Sequence, residues 1–129
     1  LQDYVERVDF YDYFSYLTLG HFYFEAKKYD LAMEQYEKAK ESGYDFYEIP
    51  AEYSRYMFSA EKTKQYQRIV DMAKKYLERW GAEADTYFNI AVGYLNLKDK
   101  EKAKEFFLKA LELNPEYEQY QLFFTPIGD

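Results

Sequence analysis

The sequence predicts an all-α fold built from three helical hairpins, and three observations carry that expectation. First, residues 84–117 set large side chains at Tyr87, Ile90, Tyr94 and Phe107 against small ones at Ala91, Ala103 and Ala110, at helical spacing. Two antiparallel helices with that alternation approach closely, because each large side chain fills the space a small one leaves. Second, the pattern recurs upstream. Tyr16, Leu19, Gly20 and Tyr23 match Tyr87, Ile90, Ala91 and Tyr94, and Ala32, Tyr36 and Ala39 match Ala103, Phe107 and Ala110. Third, the punctuation falls where hairpins need it. Polar turns stand at Lys27-Lys28 and Lys98-Asp99-Lys100, Gly43 and Asn114-Pro115 end second helices, and Pro50 suits a first helical position.

Taken in order, residues 1–12 place Leu1, Tyr4, Val5 and Val8 on one helical face and predict a short leading helical segment. Residues 13–43 form the first hairpin. Residues 44–49, Tyr-Asp-Phe-Tyr-Glu-Ile, are an aromatic loop that lengthens the spacing: Ala39 to Tyr76 is 37 residues, whereas Tyr76 to Ala110 is 34. The loop is expected to cover the edge between two hairpins or to carry function of its own. Residues 50–83 keep the helical period but exchange the sites. Met57, Ile69 and Tyr76 stand where the other hairpins are small, and Ala60 and Ala73 stand where they are large. An exchange of that kind conserves volume, which cores tolerate better than a net gain or loss. Beyond the third hairpin, Glu116 to Gln121 reads as the start of a capping helix. The tail Leu122 to Ile127 is too apolar for an exposed cap, so it folds back or leads onward.

The 84–117 stretch, and with it 13–46, resembles a tetratricopeptide repeat (TPR), a unit of about 34 residues with this large and small pattern. The resemblance is strong in the outer units and weaker in the middle one. It implies a right-handed superhelix (α-solenoid) of three TPR-like hairpins, at about 13–46, 50–83 and 84–117, with a short N-terminal helical segment and a C-terminal capping helix. Residues 1–129 would then be one domain, with the cap and tail at 116–129. Three units are the usual minimum, since a lone hairpin buries only one side and stacking supplies the second. Because the first residue is Leu1 rather than Met, we expect the chain to be part of a longer protein.

Composition narrows the function. Formal net charge is -7, and the deficit is uneven: residues 1–60 carry 12 acidic and 6 basic side chains, residues 61–129 carry 12 and 11. Such a surface repels phosphate backbones and anionic membranes, so neither nucleic acid nor a membrane surface is an expected partner, while a basic one is compatible. With 48% hydrophobic residues the chain can bury a core. The absence of cysteine removes disulfides and thiolate metal sites. No run of about 18 apolar residues occurs and no signal-peptide pattern precedes the chain, which leaves the compartment open, leaning to the cytoplasm.

Chemistry is hard to find. The single histidine, His21, lacks a second His or Cys for a zinc site, and neither Ser15 nor Thr18 sits in a context that would make it a nucleophile. The five glycines are scattered rather than gathered into a phosphate loop, and the carboxylates lie in mixed runs of the solvated-helix kind. No cofactor, metal or enzymatic activity is expected.

What remains is a surface. The resemblance implies that the first helix of each unit lines a concave groove where ligands lie. Carried onto this chain, the groove residues are Phe14, Leu17, His21 and Phe24, then Ser54, Arg55, Phe58 and Glu61, then Phe88, Asn89, Val92, Leu95 and Asn96. Chaperone-binding members of the family clamp a C-terminal carboxylate with Lys, Asn and Arg. The matching places here hold Leu17, His21, Arg55, Asp85 and Asn89, so that clamp is mostly absent. The expected groove is instead apolar and aromatic, suited to an amphipathic helix or apolar peptide from a partner protein. The alternative is self-assembly, or coverage of the groove by residues 1–12 or by the tail Leu122 to Ile127. Glycan or lipid binding by the aromatic lining is a weaker third, with Arg55, Asn89 and Asn96 as its polar candidates.

Overall fold

The computed structural model describes residues 2–125, with side chains from residue 13 onward. Among the described residues there is no strand. The described residues form seven α-helices: α1 Gln2–Glu25, α2 Tyr29–Glu41, α3 Pro50–Lys62, α4 Tyr66–Trp80, α5 Ala84–Asn96, α6 Lys100–Leu113 and α7 Gln121–Phe124. A 3-10 helix spans Pro115–Tyr120. The chain divides into two compact units, residues 1–64 and 65–129. The division falls between α3 and α4, within the stretch that the sequence presents as its middle hairpin.

In the first unit α1 packs on α2 and α2 on α3. The expected leading segment is helical, but it is the N-terminal half of one 24-residue helix rather than a separate element. No Gly or Pro interrupts Gln2 to Leu19, so nothing in the sequence ends a helix before the repeat begins. The face formed by Leu1, Tyr4, Val5 and Val8 lies outside the described side chains. Between α1 and α2 the chain turns at Lys27, whose φ of 61° is left-handed. The Lys28 amide closes that turn on the Tyr23 carbonyl at 2.8 Å, the pattern that ends many helices. Close approach of the two helices depends on Gly20, where a Cβ would collide with the ring of Tyr36.

Tyr36 is the centre of this unit and is fully buried. Its ring meets Phe46 edge-on at 5.7 Å and lies nearly parallel to Tyr56 at 6.2 Å. Phe46 comes from the lengthened loop. It is 2% exposed, inserted against α2 and α3, so the loop's aromatic character is a packing device. The alanines predicted to let helices approach, Ala32 and Ala39, are both at 0% exposure.

In the second unit α5 packs on both α4 and α6. Gly93 does on α5 what Gly20 does on α1: a Cβ there would lie 2.6 Å from Val70 Cγ2. Ala103, Phe107 and Ala110 of α6 form a fully buried stripe, as their spacing predicts. Lys74 of α4 donates to the Tyr94 hydroxyl at 2.5 Å and lies 5.6 Å from the Phe106 ring, tying the three helices together. The α5–α6 turn repeats the first one, with Lys98 at φ 69° and the Asp99 amide on the Tyr94 carbonyl. Asp99 then caps α6 by accepting from the Lys102 amide.

The exchanged sites of residues 50–83 fall on α3 (Met57, Ala60) and on α4 (Ile69, Ala73, Tyr76). Ala60 and Ala73 are fully buried, Ile69 is 7% exposed, and Met57 and Tyr76 are half-buried.

The C-terminal cap differs from expectation. Residues 115–120 form a 3-10 helix, and only then does the one-turn α7 follow. Asn114 initiates the tighter geometry by accepting the Glu116 amide on its side-chain oxygen, while Pro115 removes the next donor. The segment folds back, and Phe124 is 6% exposed. The continuation beyond Thr125 lies outside the described residues.

Candidate interaction surface

The two helices expected to line a groove, α1 and α3, are brought together in the first unit through two contacts. One is aromatic. Phe24 of α1 and Phe58 of α3 meet edge-on with ring centroids 5.8 Å apart, and Tyr29 closes a triangle with both, at 5.7 and 5.4 Å. Phe58 remains 39% exposed, so one side of the triangle faces solvent. Phe14, a further part of α1, is 52% exposed.

The second contact is polar and makes His21 a strut between three helices. Its Nδ1 lies 2.8 Å from the Tyr36 hydroxyl of α2, and its Nε2 lies 2.8 Å from Glu52 Oε2 of α3. A neutral ring protonated at Nε2 satisfies both neighbours, accepting from Tyr36 and donating toward Glu52. Glu52 also faces Arg55 at 3.5 Å. Burial raises the Tyr36 hydroxyl well above the ordinary phenol range, with Arg55 opposing and Glu52 adding to the effect. The hydroxyl therefore stays a donor. His21 and Arg55 were expected to present themselves to a ligand, yet both share Glu52, which the sequence reading did not single out. The available signal was the Glu52-Arg55 spacing of three on one helix face.

Leu17 is a correction. At 7% exposure it belongs to the core and offers no surface. Ser54 is exposed and stands on α3 beside Arg55.

In the second unit, the chain's own C-terminal segment packs against Phe88, which stays half-buried. Tyr117 stacks on it at 4.5 Å and 20°, and Tyr120 and Phe124 close around it at 5.2 and 5.9 Å. Phe124 in turn lies flat on Phe107 at 4.5 Å and 7°. The Tyr117 hydroxyl donates to Asp85. Burial first, and then this bond to a carboxylate, push the phenol up to about 12. Apolar coverage drives the fold-back: rings on residues 117, 120 and 124 meet rings on α5 and α6. Asn89 and Asn96 are exposed, Val92 and Leu95 half-buried, and the Asn96 amide donates to its own helix at the Val92 carbonyl.

Among the described residues no group of three or more His, Cys, Asp or Glu could hold a metal ion. Among the same residues no helix is long and apolar enough to cross a membrane.

The hairpins α1–α2 and α5–α6 are also the stretches that known families pick out. A tetratricopeptide repeat model matches residues 84–117, and a second tetratricopeptide repeat model matches residues 15–42. No curated protein and no solved structure matches the chain. The molecule is thus an all-α helical-repeat protein. Its two matched hairpins support a place in the tetratricopeptide repeat family. Such repeats generally mediate protein–protein interaction and scaffolding and are typically non-catalytic.

Proposed function

We propose that this chain is a protein-interaction module whose first unit holds an apolar or helical segment of a partner protein against α1 and α3. The observation that carries the reading is the Phe24–Tyr29–Phe58 triangle. Three rings from three helices converge, yet Phe58 is left 39% exposed and Phe14, further along α1, 52%. Exposed aromatics fixed by their neighbours bind with little loss of side-chain freedom, which is why such residues dominate interface energetics. In the second unit Asn89, Val92, Leu95 and Asn96 are the groove candidates, and Phe88 is half-buried beneath the C-terminal rings.

Panning the chain against a library of random 12-residue peptides tests this. Selected peptides are expected to carry apolar residues at i and i+4, and to lose about tenfold or more in affinity against Phe58→Ala while its circular dichroism is unchanged. Peptides indifferent to both Phe58→Ala and Phe14→Ala would overturn the reading.

A second reading, self-assembly through the C-terminal segment, draws on Leu122 and Phe123, which are 63% and 68% exposed beside the docked Phe124. It predicts a sedimentation coefficient that rises with concentration and stops rising in Leu122→Ser/Phe123→Ser. A concentration-independent monomer removes it.

A further inference from the structure

Beside the aromatic triangle, at the end of the first unit where α1 turns into α2, lies a cleft of about 350 Å3. Its walls come from two segments distant in sequence, the turn at Lys27 to Leu31 and the end of α3 at Lys62 and Thr63. Three lysines line it, Lys27, Lys28 and Lys62, against one carboxylate, Asp30. Among the described residues none of the three ammonium groups lies within ion-pair distance of a carboxylate. Instead, Lys62 rests over the Phe58 ring at 5.2 Å. Tyr29 belongs both to the cleft and to the triangle, so the charged and the aromatic parts are one continuous surface.

The charge of this corner runs against that of the molecule. The chain carries -7, most of it in residues 1–60, yet this cleft is lined by three lysines and one carboxylate. An acidic chain as a whole favours a basic partner, and a basic segment would be turned away at this cleft. An acidic segment would be repelled elsewhere on the surface and held here. Local charge that opposes the net charge selects where, and in which direction, a segment docks.

We propose that the cleft and the exposed Phe58 ring form one subsite for an acidic–apolar segment of a partner protein. An Asp or Glu side chain of the partner sits among Lys27, Lys28 and Lys62, and an adjacent apolar residue lies on Phe58. This deepens the reading above and rests on it, since the apolar half of the subsite is the proposed binding surface. Each lysine brings three donors on a flexible stem, so the contact is a point-charge one, tolerant of Asp or Glu and sensitive to salt.

The test uses acetylated and amidated 12-residue peptides with leucines at i and i+4, flanked on one side by Glu-Glu, Gln-Gln or Lys-Lys. The blocked ends leave side-chain carboxylates as the only acidic groups. Binding is read by fluorescence anisotropy at low and high salt. The Glu-flanked peptide is expected to bind about five- to tenfold more tightly than the Gln-flanked one at low salt, the range for a few exposed charge pairs. That advantage should vanish at high salt and reverse in Lys27→Glu/Lys28→Glu, which leaves Lys62 in place over Phe58. Equal binding of Glu- and Gln-flanked peptides, or preference for the Lys-flanked one, overturns the inference. If binding is equal but both peptides are lost in Phe58→Ala, the aromatic surface stands without the acidic subsite. If no peptide of any flank binds, the interaction reading itself fails.

Discussion

Replacing Tyr36 with alanine is expected to lower the stability of the first unit by about 3–5 kcal/mol, the range for deleting a large aromatic from a close-packed core. The ring is fully buried, packed against Phe46 and Tyr56, and seated where Gly20 has no side chain. Its loss leaves a cavity that α1, α2 and α3 can close only by moving together. The hydroxyl adds a separate, smaller contribution. Tyr36→Phe keeps the packing but removes the donor to His21 Nδ1, and is expected to cost about 1 kcal/mol. Urea denaturation followed by circular dichroism distinguishes the two. An alanine variant within about 1 kcal/mol of the parent would show that the core is not organised around this ring.

Phe124→Ala is expected to cost up to about 3 kcal/mol, limited by the free energy that holds the C-terminal segment down. Phe124 lies flat on Phe107 and edges against Phe88, so its removal uncovers both rings. Tyr117 reports the release. Its phenol is pushed up to about 12 in the folded chain, against 10.0 for the ordinary group. A raised pKa means that the protonated form is favoured by folding. The associated stability is complete below the ordinary value and is lost as pH rises through the folded one. Docking should therefore hold below pH 10.0 and weaken toward about 12. In Phe124→Ala, Tyr117 should titrate nearer its ordinary value. Tyrosinate absorbance during an alkaline titration measures this, and an unchanged titration at unchanged stability would mean that the segment docks without Phe124.

The two results bear on the same question, namely where aromatic side chains serve the fold and where they are left for a partner. Around Tyr36 and around Phe88 rings close on rings within the chain. Around Phe58 two rings close from within the chain and the ring is still left 39% exposed. A tyrosine-rich helical surface looks uniform in sequence, since the same residue fills a core or rims it. Only its neighbours in space separate the two.

The helices themselves were legible because what sets them is local. Alanine spacing, polar turns and Pro50 act within a few residues, and the structure places Ala32, Tyr36, Ala39, Ala103, Phe107 and Ala110 in the core as their period requires. Matching positions need not share an environment, however. Ile90 is fully buried on α5, which is flanked by α4 and α6, whereas Leu19, its counterpart on α1, is 43% exposed. Repetition of a motif predicts a helix face, and the neighbouring element decides whether that face is covered.

The candidate surface was legible in outline and wrong in detail for the same reason. The helical period places Phe14, Phe24 and Phe58 on faces a partner could reach, but it could not foresee that Leu17 would be sealed into the core. Nor could it show that Glu52, 31 residues from His21, would reach the free edge of that ring. The cleft lysines escaped notice because Lys28 and Lys62 are far apart along the chain and read as ordinary turn and helix-end residues. The coverage of Phe88 has the longest reach: rings at 117, 120 and 124 return to a helix that begins at Ala84. By itself, then, the sequence determined an all-α chain of repeated helical hairpins, because helix period, small-residue spacing and turn chemistry are short-range. Which aromatic and charged groups are left for a partner was decided only by the tertiary structure, because burial and charge clustering depend on residues that meet in space after long separations in the chain.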